Sequence, residues 1–558
     1  MSWRGPYKVL KAVNKVDYLV NVNGIPKLYH INLLKKYFRR EQTLLNVADE
    51  NSVNFVRKQY TSECANVCIV DTNKSDEVSD IITVPSDKAC DSESLNICEA
   101  LSEKQKSELD KVIHKFDDVF SETPGCTKTV VHKIILTDSE PVRKRVYPVP
   151  LHLRQDFNME VDKLLNLGII EPSCSPYCSP CVMVKKPDNT FRLTIDFRGL
   201  NSVTQFDAEP MPRIDDDLFK FNNASYISEL DIAKAYHQIV LDPESRPYTA
   251  FATHRGLMHY TRMPFGLVTA CASYVRLMRF VLSDIDNVAV YFDNIFIIAK
   301  DWDSHVETLV SVLERLKTHG LTARPSKCNL GYSEVKYLGF SVGQNILRPL
   351  ASKKDLILNV PVPSSKKQLR SFLGIVSFYR KFIPNLSNLS GILSEKLKKT
   401  SKEPLQWSEA EKETFEKVKQ CFNSDLILRI PDINKVFCLR TDASSTGLGA
   451  TLLQYHGDIP HPVAFASRKL LPREKNYSTI ERECLGIVFG VTHFKYYLYG
   501  RQFILESDHK PLVYLESFKG DNSRILRWCL SLQPYCFTVV HISGRNNHFS
   551  DLLSRSSV

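Results

Sequence analysis

Residues 291–294 read Tyr-Phe-Asp-Asn, and the flanking stretches 287–292 and 295–300 are apolar and β-prone. A two-residue Asp-Asn link between such runs predicts a hairpin, because both residue types tolerate positive φ. A carboxylate on that tip, facing Asp231 at the end of the strand candidate 226–230, has the chemistry to hold two divalent ions for phosphoryl transfer. One of the carboxylates expected on such a tip is here an amide, Asn294. A second acidic set lies near the C-terminus: Asp442, Glu483, Asp508 and Asp551. Four acids on strands and helices fit a two-metal hydrolytic site, one ion activating water and the other stabilising the leaving 3′-oxygen. Taken singly, each acid reads more readily as a cap or a solvated residue than as a ligand. Asp231 alone reads as a helix cap, and Tyr236, five residues on, as core.

The elements that must position these groups follow from local pattern. Residues 436–442 alternate, with Phe437 and Leu439 on one face, and Ser444-Ser445-Thr446-Gly447 turns them into 448–454, so Asp442 ends the first strand of a hairpin. Ser478-Thr479-Ile480-Glu481 is a capping box that opens a helix running to Gly500, with Glu483 in its first turns. Glu481 is thereby occupied as the capping partner. Residues 502–508 form a strand ending in Asp508, and Asp551 sits in a short helix over 549–555, where His548 reads either as a helper in product release or as a polar helix start. Upstream, 182–192 reads as two strands around a polar turn. Its cations Lys185, Lys186 and Arg192 suit a triphosphate, Lys as a point charge and Arg as a bidentate fork.

Periodicity at Leu109, Val112, Ile113, Phe116, Val119 and Phe120 predicts a helix over 102–120. Residues 346–430 are mainly helical, and interleaved cations and aromatics over 366–374 and 378–382 suit a surface along a duplex backbone or a helix with snorkelling lysines. Residues 71–93 carry seven acids against two lysines, which reads as a solvated linker. The net charge of +10 is compatible with a polyanionic partner. No signal-peptide layout and no run of apolar residues long enough for a membrane span is seen, so a cytoplasmic or nuclear location is expected. Fifteen cysteines in such a chain predict reduced thiols; Cys174, Cys178 and Cys181 have zinc-like spacing but lack a fourth ligand at a customary interval.

As an ordered set, several motifs resemble the reverse transcriptase of gypsy-type LTR retrotransposons. They are residues 143–150, Gly168-Ile169-Ile170-Glu171-Pro172-Ser173, Asp196-Phe197-Arg198-Gly199-Leu200-Asn201, Met211-Pro212-Arg213-Ile214-Asp215, Met263-Pro264-Phe265-Gly266-Leu267 and Lys336-Tyr337-Leu338-Gly339-Phe340. Thr441-Asp442-Ala443-Ser444, residues 461–470, residues 476–483, Ser507-Asp508-His509-Lys510-Pro511-Leu512, Arg527-Trp528 and Asp551-Leu552-Leu553-Ser554-Arg555 resemble the ribonuclease H of the same group. Residues 5–37 resemble the small SH3-like end of its integrases.

The resemblance implies a multidomain α+β and α/β chain: an SH3-like module at 1–41, an acidic linker at 42–100, fingers and palm of a right-hand polymerase at 101–345, thumb and connection at 346–430, and a ribonuclease H domain at 431–558. It implies Asp231 and Asp293 as polymerase metal ligands, Tyr236 as the steric gate, Lys185 or Lys186 with Arg192 as dNTP triphosphate contacts, and residues 337–340 as the primer grip. It places the nuclease acids on Asp442, Glu483, Asp508 and Asp551. The implied cofactors are Mg²⁺ or Mn²⁺, two ions per site, and the implied partners are an RNA template, a DNA primer and an RNA–DNA hybrid. Two departures stand out. The family's Tyr-x-Asp-Asp ends here in Asn294, and its Asn-Ala-Pro-Ala-Thr-Phe-Gln is replaced by Thr269-Ala270-Cys271-Ala272-Ser273-Tyr274-Val275. A rival reading is a decayed or host-retained copy that binds hybrid, with only the nuclease or no activity.

Overall fold

The computed structural model describes residues 95–138, 140–185, 190–384, 386–398, 403–423, 426–507 and 523–542, together with five strands nearer the N-terminus. Those five strands form a unit of their own. Trp3–Ala12, Asp17–Val22, Ile25–His30, Leu34–Lys36 and Asn66–Val70 make an antiparallel sheet in which Trp3–Ala12 is central. Its fifth strand comes from inside the stretch read as linker. Val67-Cys68-Ile69-Val70 is a short apolar run, and pairing it between Trp3–Ala12 and Leu34–Lys36 satisfies backbone groups that a solvated linker would leave to water.

The second unit begins at Asp87. In the region expected to form the palm lies a five-stranded sheet in the order Val288–Tyr291, Asn294–Ala299, Tyr226–Asp231, Asn329–Tyr332, Asn96–Ile97. After Asn294, the strand Asn294–Ala299 is apolar on both faces over 295–299, as expected of a strand paired on both sides and covered above and below. Ile295 and Ile297 enter one core with Leu230, Leu277 and Leu313; Phe296 and Ile298 enter another with Tyr337, Phe372 and Phe415. The sheet is therefore shared. The second core runs from palm strands into the helices Lys366–Phe378 and Glu409–Gln420, across the boundary expected at 345/346.

Those helices carry capping boxes at Ser365/Gln368 and Ser408/Glu411, which satisfy otherwise orphaned first-turn amides. Leu428–Arg429 returns to pair with Ile346–Pro349, closing a four-stranded sheet with Glu334–Tyr337 and Phe340–Gly343. The C-terminal sheet is mixed: Phe437–Ala443, Gly447–His456 and Ile459–Lys469 are antiparallel, while Gln502–Ser507 and Cys536–His541 extend it in parallel. Phe465 of this sheet enters the second core.

Three buried imidazoles set an acid limit on the second unit. His132 bonds Ser273 Oγ at 2.7 Å, His305 bonds Ser228 Oγ at 2.9 Å and His237 bonds the Met263 carbonyl at 3.2 Å. Burial lowers His132 and His305 to about 4 and His237 to about 3. The fold holds them neutral, so between 6.5 and about 4 the unfolded chain binds more protons and stability is lost as pH falls. The loss is roughly 3 kcal/mol each for His132 and His305 at the acid end. We expect the thermal midpoint to drop steeply across that window and His132→Asn to make the drop shallower; a flat midpoint contradicts this account.

Candidate active sites

The palm site is built where the hairpin tip meets the end of the central strand. Asp231 is the last residue of Tyr226–Asp231 and lies directly opposite Asn294. Asn294 is also paired with Tyr291, so it belongs to the ladder, and the two-residue link is Phe292-Asp293 instead of the expected Asp293-Asn294. Strand pairing on both sides of Asn294 displaced the turn by one residue. Phe292 takes a φ of +47°, a left-handed conformation disfavoured for a bulky side chain, which holds Asp293 at the apex. The Asp293 carbonyl accepts from Ile232 N at 2.8 Å, and the Asp231 carbonyl from Arg324 N at 2.7 Å, tying tip, strand end and the following turn together.

Both carboxylates are half-buried and are pushed above the usual Asp range. For Asp293 the causes are burial and then the charge of Asp231; for Asp231 burial is opposed by Lys327 and Arg324. Lys327 Nζ stands 3.8 Å from Asp231. Two hard-oxygen donors that repel one another and draw a cation fit a divalent ion. Beside them a cleft of about 250 Å³ is lined by Tyr291, Phe292, Asp293, Asn294, Lys336 and Leu338 among others. Its far wall is the hairpin turned by Leu338 (φ +51°) and Gly339 (φ +89°), anchored by the buried Tyr337 ring against Phe221 and Phe296.

Tyr236 lies in the turn Ala235–Gln238, its ring held by Phe265 at 4.9 Å and Tyr274 at 5.7 Å. Its hydroxyl lies 3.2 Å from Cys271 Sγ, inside the segment that departs from the family pattern. Burial, then Cys271, raises the Tyr236 phenol, which stays protonated. The basic hairpin pairs Cys181–Lys185 with Phe191–Ile195. Lys185 opposes Phe191, and Arg192 opposes Val184, so alternation sets Lys185 and Arg192 on opposite faces. By this register Lys185 and Arg192 reach opposite sides of the hairpin; Lys186 lies outside the described residues.

Of the C-terminal acids, Asp442 lies near the end of Phe437–Ala443 and Glu483 in the second turn of Thr479–His493. They are 6% and 7% exposed, unusual burial for carboxylates. Helix and sheet approach closely at two glycines: a Cβ at Gly490 would meet Thr441 Cγ2 at 3.0 Å, and one at Gly486 would meet the Asp442 carbonyl at 3.6 Å. Glu481 accepts from Ser478 N at 2.9 Å and from Arg524 at 2.7 Å, the structural role expected of it. The helix stops at His493, ahead of the expected Gly500, and a separate short helix Lys495–Leu498 follows. Asp508, Asp551 and His548 lie outside the described residues. Among the described residues no group of three or more His, Cys, Asp or Glu is arranged to hold a metal; Cys181, of the zinc-spaced trio, donates its thiol to the Ala252 carbonyl.

Sequence reasoning missed Glu229, which accepts from Asn294 Nδ2 and, at 2.9 Å, from Asn329 Nδ2. Its signal was available: two residues before Asp231, it shares that residue's face of the strand.

Residues 184–342 match the family described as reverse transcriptase (RNA-dependent DNA polymerase), and residues 432–535 the RNase H-like domain found in reverse transcriptase. The retrovirus-related Pol polyprotein from transposon 297 of Drosophila melanogaster is 37% identical over 471 residues, 82% of this chain and 44% of that protein. The corresponding polyprotein from transposon 412 of the same organism is 33% identical, over 92% of this chain and 42% of its own length. This chain thus spans under half of either relative. Among solved structures, the foamy viral protease-reverse transcriptase in complex with dsDNA has a TM-score of 0.73 at 22% identity, covering 80% of this chain and 95% of that one. The same protein in complex with RNA/DNA hybrid gives 0.69 at 22% identity, covering 82% and 63%. These two share the fold.

Proposed function

The chain belongs to the retrovirus-related Pol polyproteins of LTR transposons, and from that premise we propose an RNA-directed DNA polymerase joined to a ribonuclease H, with polymerisation weakened at Asn294. The observation that carries the reading is the meeting of Asp231 and Asp293 at adjoining strand ends inside the matched polymerase region. Asp231 and Asp293 would hold Mg²⁺ or Mn²⁺ in the palm, and Asp442, Glu483, Asp508 and Asp551 in the C-terminal domain. Two such ions per site supply Lewis-acid stabilisation of the charge that develops during phosphoryl transfer.

The protein's own groups do the rest. The Tyr236 ring, fixed by Phe265 and Tyr274, sets the floor of the dNTP site and excludes a 2′-hydroxyl. Arg192, with Lys185 or Lys186, meets the triphosphate. Lys367, Arg370 and Gly374 form an exposed stripe on Lys366–Phe378; apart from the backbone of its own helix, nothing lies within 4 Å of a Cβ built at Gly374, so a template–primer backbone can lie flat there. The nuclease domain reads an RNA–DNA hybrid by its shape and 2′-hydroxyls. The solved relatives that share this fold hold dsDNA and RNA/DNA hybrid, which supports the same class of partner. Among the described residues no helix is long and apolar enough to cross a membrane.

The test is one preparation of the purified chain given Mg²⁺ and two substrates, a primed RNA template and a hybrid. Salt-dependent hybrid binding without any turnover would favour the rival, a copy that binds without chemistry. Within the nuclease, Glu481 and Glu483 separate structure from chemistry. Glu481→Gln keeps hybrid cleavage and lowers stability by about 1 kcal/mol through the lost cap and ion pair, whereas Glu483→Gln abolishes cleavage with little change in the melting curve. The reverse outcome would move the site to Glu481.

A further inference from the structure

Asn294 is part of a polar chain that crosses the palm sheet. Asn294 Nδ2 donates to Glu229 Oε1, Asn329 Nδ2 donates to Glu229 Oε2 at 2.9 Å, and Asn96 Nδ2 donates to Asn329 Oδ1 at 3.3 Å. Strand register explains the row: Asp231 is opposite Asn294, Glu229 is opposite Asn329, and Asn329 is opposite Asn96. Glu229, Asp231 and Asn294 therefore share one face. A carboxylate is an acceptor, so it takes the Asn294 amide by its nitrogen and fixes which way that amide is turned. The oxygen of Asn294 is left as the atom not committed to Glu229. An Asp at 294 would meet Glu229 with an acceptor against an acceptor and like charge against like charge.

We propose that Glu229 is a positioning residue of the Asp231–Asp293 site, matched to Asn294, so that the amide presents its oxygen as a neutral third ligand and the two positions function as a pair. The inference rests on the polymerase reading for the identity of the site. It makes Asn294 a compensated substitution: restoring the carboxylate at 294 helps fully only when Glu229 gives way to a residue that can donate.

The experiment is a double-substitution cycle in the full chain: native, Asn294→Asp, Glu229→Gln and both together. All four carry Asp442→Asn and Glu483→Gln to take the second acidic site out of the measurement. Mn²⁺ binding is followed by electron paramagnetic resonance of the free ion, and thermal melting and primer extension are run alongside. Asn294→Asp is expected to tighten Mn²⁺ binding less than about threefold alone and at least about tenfold in the Glu229→Gln chain, where the amide introduced at position 229 can donate to the new carboxylate. The same change in both backgrounds overturns the pairing. So does a cycle in which melting is coupled and Mn²⁺ affinity is not, because Glu229 would then be a fold contact only. Coupled Mn²⁺ binding with no extension by any chain upholds the pairing and fails the polymerase reading. Extension restored equally by Asn294→Asp in both backgrounds upholds the polymerase reading and fails the pairing.

Discussion

Asp442→Asn is expected to abolish Mg²⁺- or Mn²⁺-dependent cleavage of the RNA strand of an RNA–DNA hybrid while leaving the chain folded. The substitution keeps the shape of the side chain, so the strand Phe437–Ala443 stays paired with Gly447–His456 on one side and Gln502–Ser507 on the other. It removes one negative charge at a position 6% exposed, where water cannot screen the loss. A preorganised electrostatic contact of this kind is worth about 3–4 kcal/mol in the transition state, a fall of roughly a hundred- to a thousandfold in rate. The measurement is single-turnover cleavage of a hybrid with end-labelled RNA, with the melting midpoint as the control for folding. Persistent cleavage by a well-folded Asp442→Asn chain removes Asp442 from the site. Loss of cleavage together with a collapsed melting curve would instead be read through Glu483→Gln, whose side chain lies on a different element.

Local chemistry was the part of this chain most open to reading from residues alone. The capping box at Ser478 and Glu481 needs only four consecutive residues, and it stands as expected. The strand–turn–strand around Ser444–Gly447 is likewise local, with Ser444 Oγ accepting from Gly447 N at 3.0 Å. Features that depend on partners distant in sequence were harder. The turn at the palm tip shifted by one residue because Asn294 pairs with Asp231, far upstream. Val67-Cys68-Ile69-Val70 was hidden by the acids near it, and its strand exists through Trp3–Ala12. The contact of Tyr236 with Cys271 joins a turn to a helix and leaves no periodic trace. Glu229 and the opposite facing of Lys185 and Arg192 differ in kind: alternation along a strand contains both, once the strand and its register are given.

The native chain is expected to extend a primer on an RNA template weakly, about a hundredfold slower than a chain with the carboxylate restored at 294 in a compatible setting. The argument turns on charge. Asp231 and Asp293 remain, half-buried, with the charge of Asp231 raising Asp293, so an ion would still be drawn to the tip. Asn294 contributes an oxygen without a charge, and Mg²⁺ discriminates in favour of carboxylates. One missing contact of that strength corresponds to about 3 kcal/mol, hence the hundredfold. Asn294→Asp alone should recover only part of it, since Glu229 already occupies the same face with its own carboxylate and is held there by Asn329. The full gain should need Glu229→Gln as well. Steady-state extension with saturating template–primer measures it, and a KM for dNTP that stays constant while kcat rises locates the effect in the chemical step rather than in triphosphate binding at the proposed Arg192 contact. Equal and robust extension by the native and Asn294→Asp chains would show that the amide serves as well as the acid, and that the departure at 294 is no impairment.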